Sequence, residues 1–240
     1  MELATVRERP DVVARAWELT RDTLPEYNNH GDVLNRYWGR LTEELPEFQF
    51  HLLDGDEPVA RARTIPIRWD GTLEDLPAGI DGAIARGFDE EGANTLCALI
   101  VAVPPSRQRG GMSRLALEAM IELARRHGLG ALVAPVRPSL KERYPLTPIE
   151  RYARWTRDDG LPFDPWMRVH ARLGGTVLKT EAQSLRITGS AEEWEQWTGM
   201  AFPEDGDYVF PHGLSPLSIS GRRGTYWEPN VWTLHSWSSS

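Results

Sequence analysis

The chain has 240 residues, 40% hydrophobic and 26% charged, and its 27 basic and 35 acidic side chains give a formal charge of −8. This balance fits a soluble globular domain with a real core and argues against a general partner in nucleic acid or an anionic membrane. A single cysteine, Cys97, excludes an intrachain disulfide and a four-cysteine zinc site. The N-terminal residues lack an apolar signal core, so a cytoplasmic protein is expected.

Pro10 and Asp11 open an amphipathic helix with Val12, Val13, Ala16 and Leu19 at helical spacing. A second helix is predicted from Asp32 to Glu44, closed by Pro46. The period then changes to two at Phe48, Phe50 and Leu52. Asp54-Gly55-Asp56 turns the chain into a returning strand from Val59 to Ile67. Residues 69–94 read as irregular, with a short helix near Ile80 to Arg86. Thr95 to Val103 is a near-continuous apolar run, the pattern of a strand covered on both faces. A helix from Met112 to His127 follows, stopped by Gly128 and Gly130. Ala131 to Val136 is a further strand.

Residues 137–161 are polar and proline-broken, with a helix predicted from Pro148 to Thr156. Pro165 starts the next helix, which ends before Gly174-Gly175. Two strands are expected at Thr176 to Lys179 and Ser184 to Thr188. Ser190 to Glu193 forms a capping box. The tail holds five of the ten tryptophans, too aromatic for a disordered segment. No repeat or linker divides the chain, so one domain is expected over residues 1–240. Its core spans about 10–188 and a C-terminal extension about 189–240.

The stretch Val103-Pro104-Pro105-Ser106-Arg107-Gln108-Arg109-Gly110-Gly111-Met112-Ser113 joins the buried strand to a helix. Glycines there let backbone approach a ligand closely, and the helix N-terminus favours a phosphate. Arg107 and Arg109 add positive charge. The turn has no Walker lysine and no Gly-x-Gly-x-x-Gly. Glycines serving tight packing alone are the other reading.

Here the sequence resembles the GCN5-related N-acetyltransferases, whose signature is Val-x-Pro-x-x-Gln/Arg-x-x-Gly-x-Gly/Ala. Val103, Pro105, Gln108 and Gly111 match it, and Ser113 stands where Gly or Ala is usual. The element order agrees over roughly residues 10 to 188. The resemblance implies an α+β fold, a mixed central sheet with helices on both faces and the C-terminal extension packed on it. It implies acetyl-CoA or another acyl-CoA as donor. Val101 and Val103 would pair with the pantetheine arm. Amides from Gln108, Arg109, Gly110, Gly111, Met112 and Ser113 would bind the pyrophosphate. The strands Thr95 to Val103 and Ala131 to Val136 would splay apart around the thioester.

The implied reaction moves an acyl group to the amine of a small molecule by direct attack, without a metal. Many members stabilise the thiolate with a Tyr four residues before a glycine. His170 takes that place here, and Gly175 that of the usual Phe. His170 is therefore the candidate for proton transfer or thiolate stabilisation; an ordinary helix histidine is the alternative. Glu150 and Asp164 are weaker candidates for holding the amine, and Tyr144, Tyr152, Trp155 and Trp166 for lining its pocket. The six histidines show no metal-ligand spacing. The insertion after Arg137 and the C-terminal extension are expected to shape the acceptor pocket; covering a sheet edge or making a homodimer contact is the alternative. Two competing functions remain open: an acyl donor borne on a carrier protein, and a non-catalytic acyl-CoA-binding domain.

Overall fold

The computed structural model describes residues 1–104, 107 and 111–237. A short strand not foreseen from the sequence, β1 (Glu2–Thr5), starts the chain. Helices α1 (Val13–Thr20) and α2 (Leu34–Glu44) follow, then the hairpin β2 (Phe50–Asp54) and β3 (Glu57–Ile67). Helix α3 (Gly79–Asp89) precedes β4 (Thr95–Ala102), α4 (Met112–Arg126) and β5 (Ala131–Val136). The second half holds α5 (Ile149–Tyr152), α6 (Pro165–Arg172), β6 (Thr176–Ser190), α7 (Ala191–Thr198), β7 (Gly206–Tyr208), β8 (Leu217–Ser220) and β9 (Arg223–Ser236).

All these strands join one sheet in the order β1-β2-β3-β4-β5-β9-β8-β7, with β6 on the other side of β9. The pairing is antiparallel except between β4 and β5. Helix α4 covers one face. Leu117, Met120 and Leu123 bury their side chains there against Phe50, Leu52, Ala60 and Ala62, each large apolar group contributing about 1.5–3 kcal/mol. Helices α2, α3 and α7 cover the opposite face, where Ile65, Ile67, Trp194 and Trp232 form a second core.

The segment after residue 189 does more than pack on the sheet. Its last strand, β9, enters the sheet between β5 and β6. Residues 223–236 are thus part of the central scaffold. The two strands expected at 176–179 and 184–188 are one long strand, β6, with its register irregular between Glu181 and Leu185. The helix expected from Pro148 to Thr156 is a single turn, α5. No helix among the described residues is long and apolar enough to cross a membrane.

Candidate active site

Strands β4 and β5 share only three register pairs, Thr95 with Ala131, Leu96 with Leu132 and Cys97 with Val133. Past Cys97, β4 stays with β3 while β5 stays with β9. The two parallel strands therefore diverge, and a cleft of about 1100 Å³ opens between them. The register of β4 against β3 also skips Leu99. Such a bulge leaves one residue out of the ladder and re-aims its backbone. Leu99 through Val103 form one wall of the cleft and Ala134 through Val136 the other.

At one end the cleft reaches the start of α4. Val101, Val103, Gly111 and Ser113 line it. Gly111 caps the helix with φ +74°, a conformation costly for any residue with a Cβ. A Cβ there would meet nothing within 4 Å, so the backbone angle is what requires glycine. Among the described residues no side chain caps α4, which leaves the helix N-terminus able to face an anion. The side chain of Met112 is buried in the α4 core, so only its backbone can serve a ligand. Gln108, Arg109 and Gly110 lie outside the described residues. Arg107 sits 3.6 Å from Asp54. Arg114, not singled out in the sequence, also borders the cleft.

His170 projects from α6 into the middle of the cleft wall and is only 2% exposed. Asp164 caps α6 by accepting from the amides of Trp166 and Met167, and it also accepts from the Tyr152 hydroxyl. It is therefore an anchor for the helix and is not among the residues lining the cleft. His170 Nδ1 lies 3.0 Å from His235 Nε2 of β9. His170 Nε2 has no hydrogen-bond partner among the described residues. Burial and His235 push the His170 pKa down to about 3, so the ring is neutral at working pH. The Trp166 ring meets it edge-on at 4.7 Å. Gly175 explains itself here: a Cβ at this position would lie 2.7 Å from His235 Cε1 and 2.8 Å from the His170 carbonyl oxygen. The glycine in place of the family's Phe makes room for a second imidazole.

The other end is polar. Glu228 and Asn230 of β9 reach it together with Asn28, Asp22 and Glu26 from the α1–α2 connection. Glu228 is buried and forms an ion pair with Arg137 at 3.1 Å. Asn28 Nδ2 and the Tyr226 hydroxyl donate to it at 3.3 Å each. All three contacts fall on Oε2, and Oε1 has no hydrogen bond among the described residues. Glu228 escaped the sequence reading, although a carboxylate within the apolar run from Tyr226 to Trp232 was a visible signal. Of the aromatic candidates, Trp166 borders the cleft, whereas Tyr144, Tyr152 and Trp155 pack on one another and on Phe163. Glu150 is exposed. No group of three metal-ligating side chains occurs among the described residues.

No family model matches the chain. Arginine N-acetyltransferase avaD of Aspergillus versicolor is 30% identical over 204 residues, covering 74% of this chain and 70% of that protein. The chain belongs to the GCN5-related N-acetyltransferase superfamily. Like other members of the superfamily it is an N-acyltransferase, drawing its acyl group from a coenzyme A thioester. Two solved structures share the acetyltransferase fold at full length. The loading GNATL domain of CurA from Lyngbya majuscula is 18% identical with a TM-score of 0.60, covering 98% of this chain and 96% of that one. The GphF GNAT-like decarboxylase in complex with isobutyryl-CoA is 17% identical with a TM-score of 0.61, covering 98% and 99%.

Proposed function

We propose that this acetyltransferase transfers an acetyl group from acetyl-CoA to the α-amino group of arginine or a close analogue. The observation that carries the reading is Glu228, a buried carboxylate with one oxygen unengaged at the end of the cleft. A guanidinium N–H can donate a charge-assisted hydrogen bond to that oxygen. The similarity to an arginine N-acetyltransferase supports the same acceptor. A guanidinium stays charged near neutral pH, whereas an α-amino group has a pKa of about 7.7–8.0 and is readily neutral. The guanidinium is thus the handle and the α-amine the nucleophile.

The donor would lie along β4, its pyrophosphate at the α4 N-terminus and its thioester in the β4–β5 gap. Val101, Val103, Gly111 and Ser113 border that path, and Gln108, Arg109, Gly110 and Met112 belong to the same sequence motif. The register of β4 skips Leu99, and a backbone N–H left out of the ladder there would polarise the thioester carbonyl. The amine nitrogen then attacks the carbonyl carbon. The C–N bond forms, the C–S bond breaks and the thiolate departs, while the amine loses one proton.

His170 is our candidate for receiving that proton. The Leu173 carbonyl approaches His235 without completing a hydrogen bond and favours a proton there. With His235 protonated on Nδ1, its Nε2 accepts from His170 Nδ1–H. His170 Nε2 is then a lone pair facing the cleft, which suits a base better than an acid.

The test is thiol release from acetyl-CoA across a panel of amines, without any carrier protein. Arginine should stand out by at least an order of magnitude in kcat/KM, with the product acetylated on the α-nitrogen. Faster turnover of neutral amines would overturn the acceptor reading. Activity only with a carrier-borne thioester would overturn the donor.

A further inference from the structure

Two arginines are buried in β3 without a carboxylate. Arg61 and Arg63 are each 5% exposed, and neither pairs with an acidic side chain among the described residues. Burial alone acts on Arg61, and burial together with Arg61 acts on Arg63, both lowering the pKa, to about 10 and about 9. The nearest titratable neighbour on β2, His51, is buried and held neutral, so it brings no negative charge. Leaving a guanidinium dry and unpaired is costly, and buried charges are as a rule paired. An arrangement of this kind is explained when a ligand brings the anion.

Arg61 is built to meet one. Its Nε donates to Thr20 Oγ1 at 3.0 Å, and that hydroxyl in turn donates to the Ala16 carbonyl at 2.6 Å. The Trp17 ring lies 4.8 Å from the guanidinium carbon. The side chain is thus fixed from both sides while its two terminal nitrogens make no hydrogen bond among the described residues, and it borders the cleft. That outer edge is the half of a guanidinium that grips a carboxylate with two N–H donors.

Its place in the sheet says which molecule brings the carboxylate. Residues alternate along β3. Ala60 and Ala62 face α4, the helix whose N-terminus opens on the donor end. Arg61 and Arg63 face the other way, toward α1. The bound anion is therefore on the acceptor's side of the sheet. We propose that Arg61, with Arg63 behind it, forms a carboxylate-binding site for the acceptor, which is an amino acid with a free α-carboxylate. This rests on the arginine reading above and narrows it: decarboxylated or amidated relatives of arginine are poor ligands.

The experiment is calorimetric titration of the CoA-loaded protein with arginine and with argininamide, which keeps the guanidinium and α-amine but loses the carboxylate. The wild type should bind arginine about tenfold to a hundredfold more tightly. Arg61→Gln should bring the two ligands to parity with unchanged affinity for CoA, and Arg61→Lys should retain part of the difference. Equal binding of the two by the wild type overturns the site and leaves the guanidinium handle intact. A persistent difference in Arg61→Gln, or a fall in its CoA affinity, overturns it too. If neither ligand binds, the arginine reading fails, and malonyl-CoA against acetyl-CoA then decides the carboxylate. A malonyl preference lost in Arg61→Gln assigns the carboxylate to the donor and overturns the acceptor site; no preference overturns carboxylate binding altogether. Should Arg61→Gln fail to fold, the wild-type comparison and Arg61→Lys still decide.

Discussion

The pairing of His170 with His235 places two imidazoles 3.0 Å apart where the superfamily usually has one phenol. A phenol near pH 7 is a proton donor, whereas a neutral imidazole with Nδ1 occupied has a single free function at Nε2. His170→Ala should therefore reduce kcat by about a hundredfold or more while acetyl-CoA affinity stays within a factor of about two. The pH profile gives an independent readout. Because the His170 pKa lies at about 3, the acid limb of kcat/KM should follow the pKa of the acceptor amine and shift when the amine is changed. A limb fixed near pH 6.5 for every acceptor would assign a titrating histidine and contradict a ring that is neutral in the resting enzyme. His235→Phe tests positioning: a loss in kcat at constant KM is expected, since nothing then holds the His170 tautomer.

At the scale of elements, the cleft follows from one event, the departure of β5 from β4 after three register pairs. The sequence makes the two strands legible, because Thr95–Val103 and Ala131–Val136 are apolar runs with no other reading. It makes the glycine that starts α4 legible, at Gly111. It does not reveal β9 as the strand that takes β5 away, because the pairing of residue 133 with residue 234 is nonlocal and leaves no local period. For the same reason Asn230 and His235 were out of reach, and Glu228 could be noticed only as a carboxylate in an apolar setting, whereas His170 was singled out from its place before a glycine. Strand β1 was missed because four residues are too few to show alternation. Gly175 links the elements, since it immediately precedes β6 and lies against the His235 ring. Gly175→Ala should cost about 1–3 kcal/mol in a denaturant titration, through overpacking against His235 and the His170 carbonyl. A neutral result would mean that the imidazole moves aside freely and is not a fixed partner.

Across the whole molecule, buried groups set the pH range of stability. His51 and His170 both have pKa values of about 3 in the fold, against about 6.5 in an unfolded chain. Between those values the unfolded chain binds more protons. Their stabilisation is thus complete above pH 6.5 and is lost as pH falls toward 3, by about 1.4 kcal/mol per unit for each histidine. Asp81 acts in the opposite sense: burial raises its pKa to about 6, so it offsets one histidine between about pH 6 and 4. Urea midpoints should therefore fall between pH 7.5 and 5, and His51→Gln should flatten that slope. A rising midpoint would show that the buried histidines take up protons in the folded state. For the whole molecule the proposal is that the cleft holds the donor at the α4 end and the acceptor at the β9 end. The most direct test of that proposal is calorimetric titration with acetyl-CoA of the wild type and of Gly111→Val. Saturable one-site binding by the wild type, lost in the variant while its thermal unfolding remains cooperative, is the predicted result. Equal binding by both proteins, or none by the wild type, would contradict it.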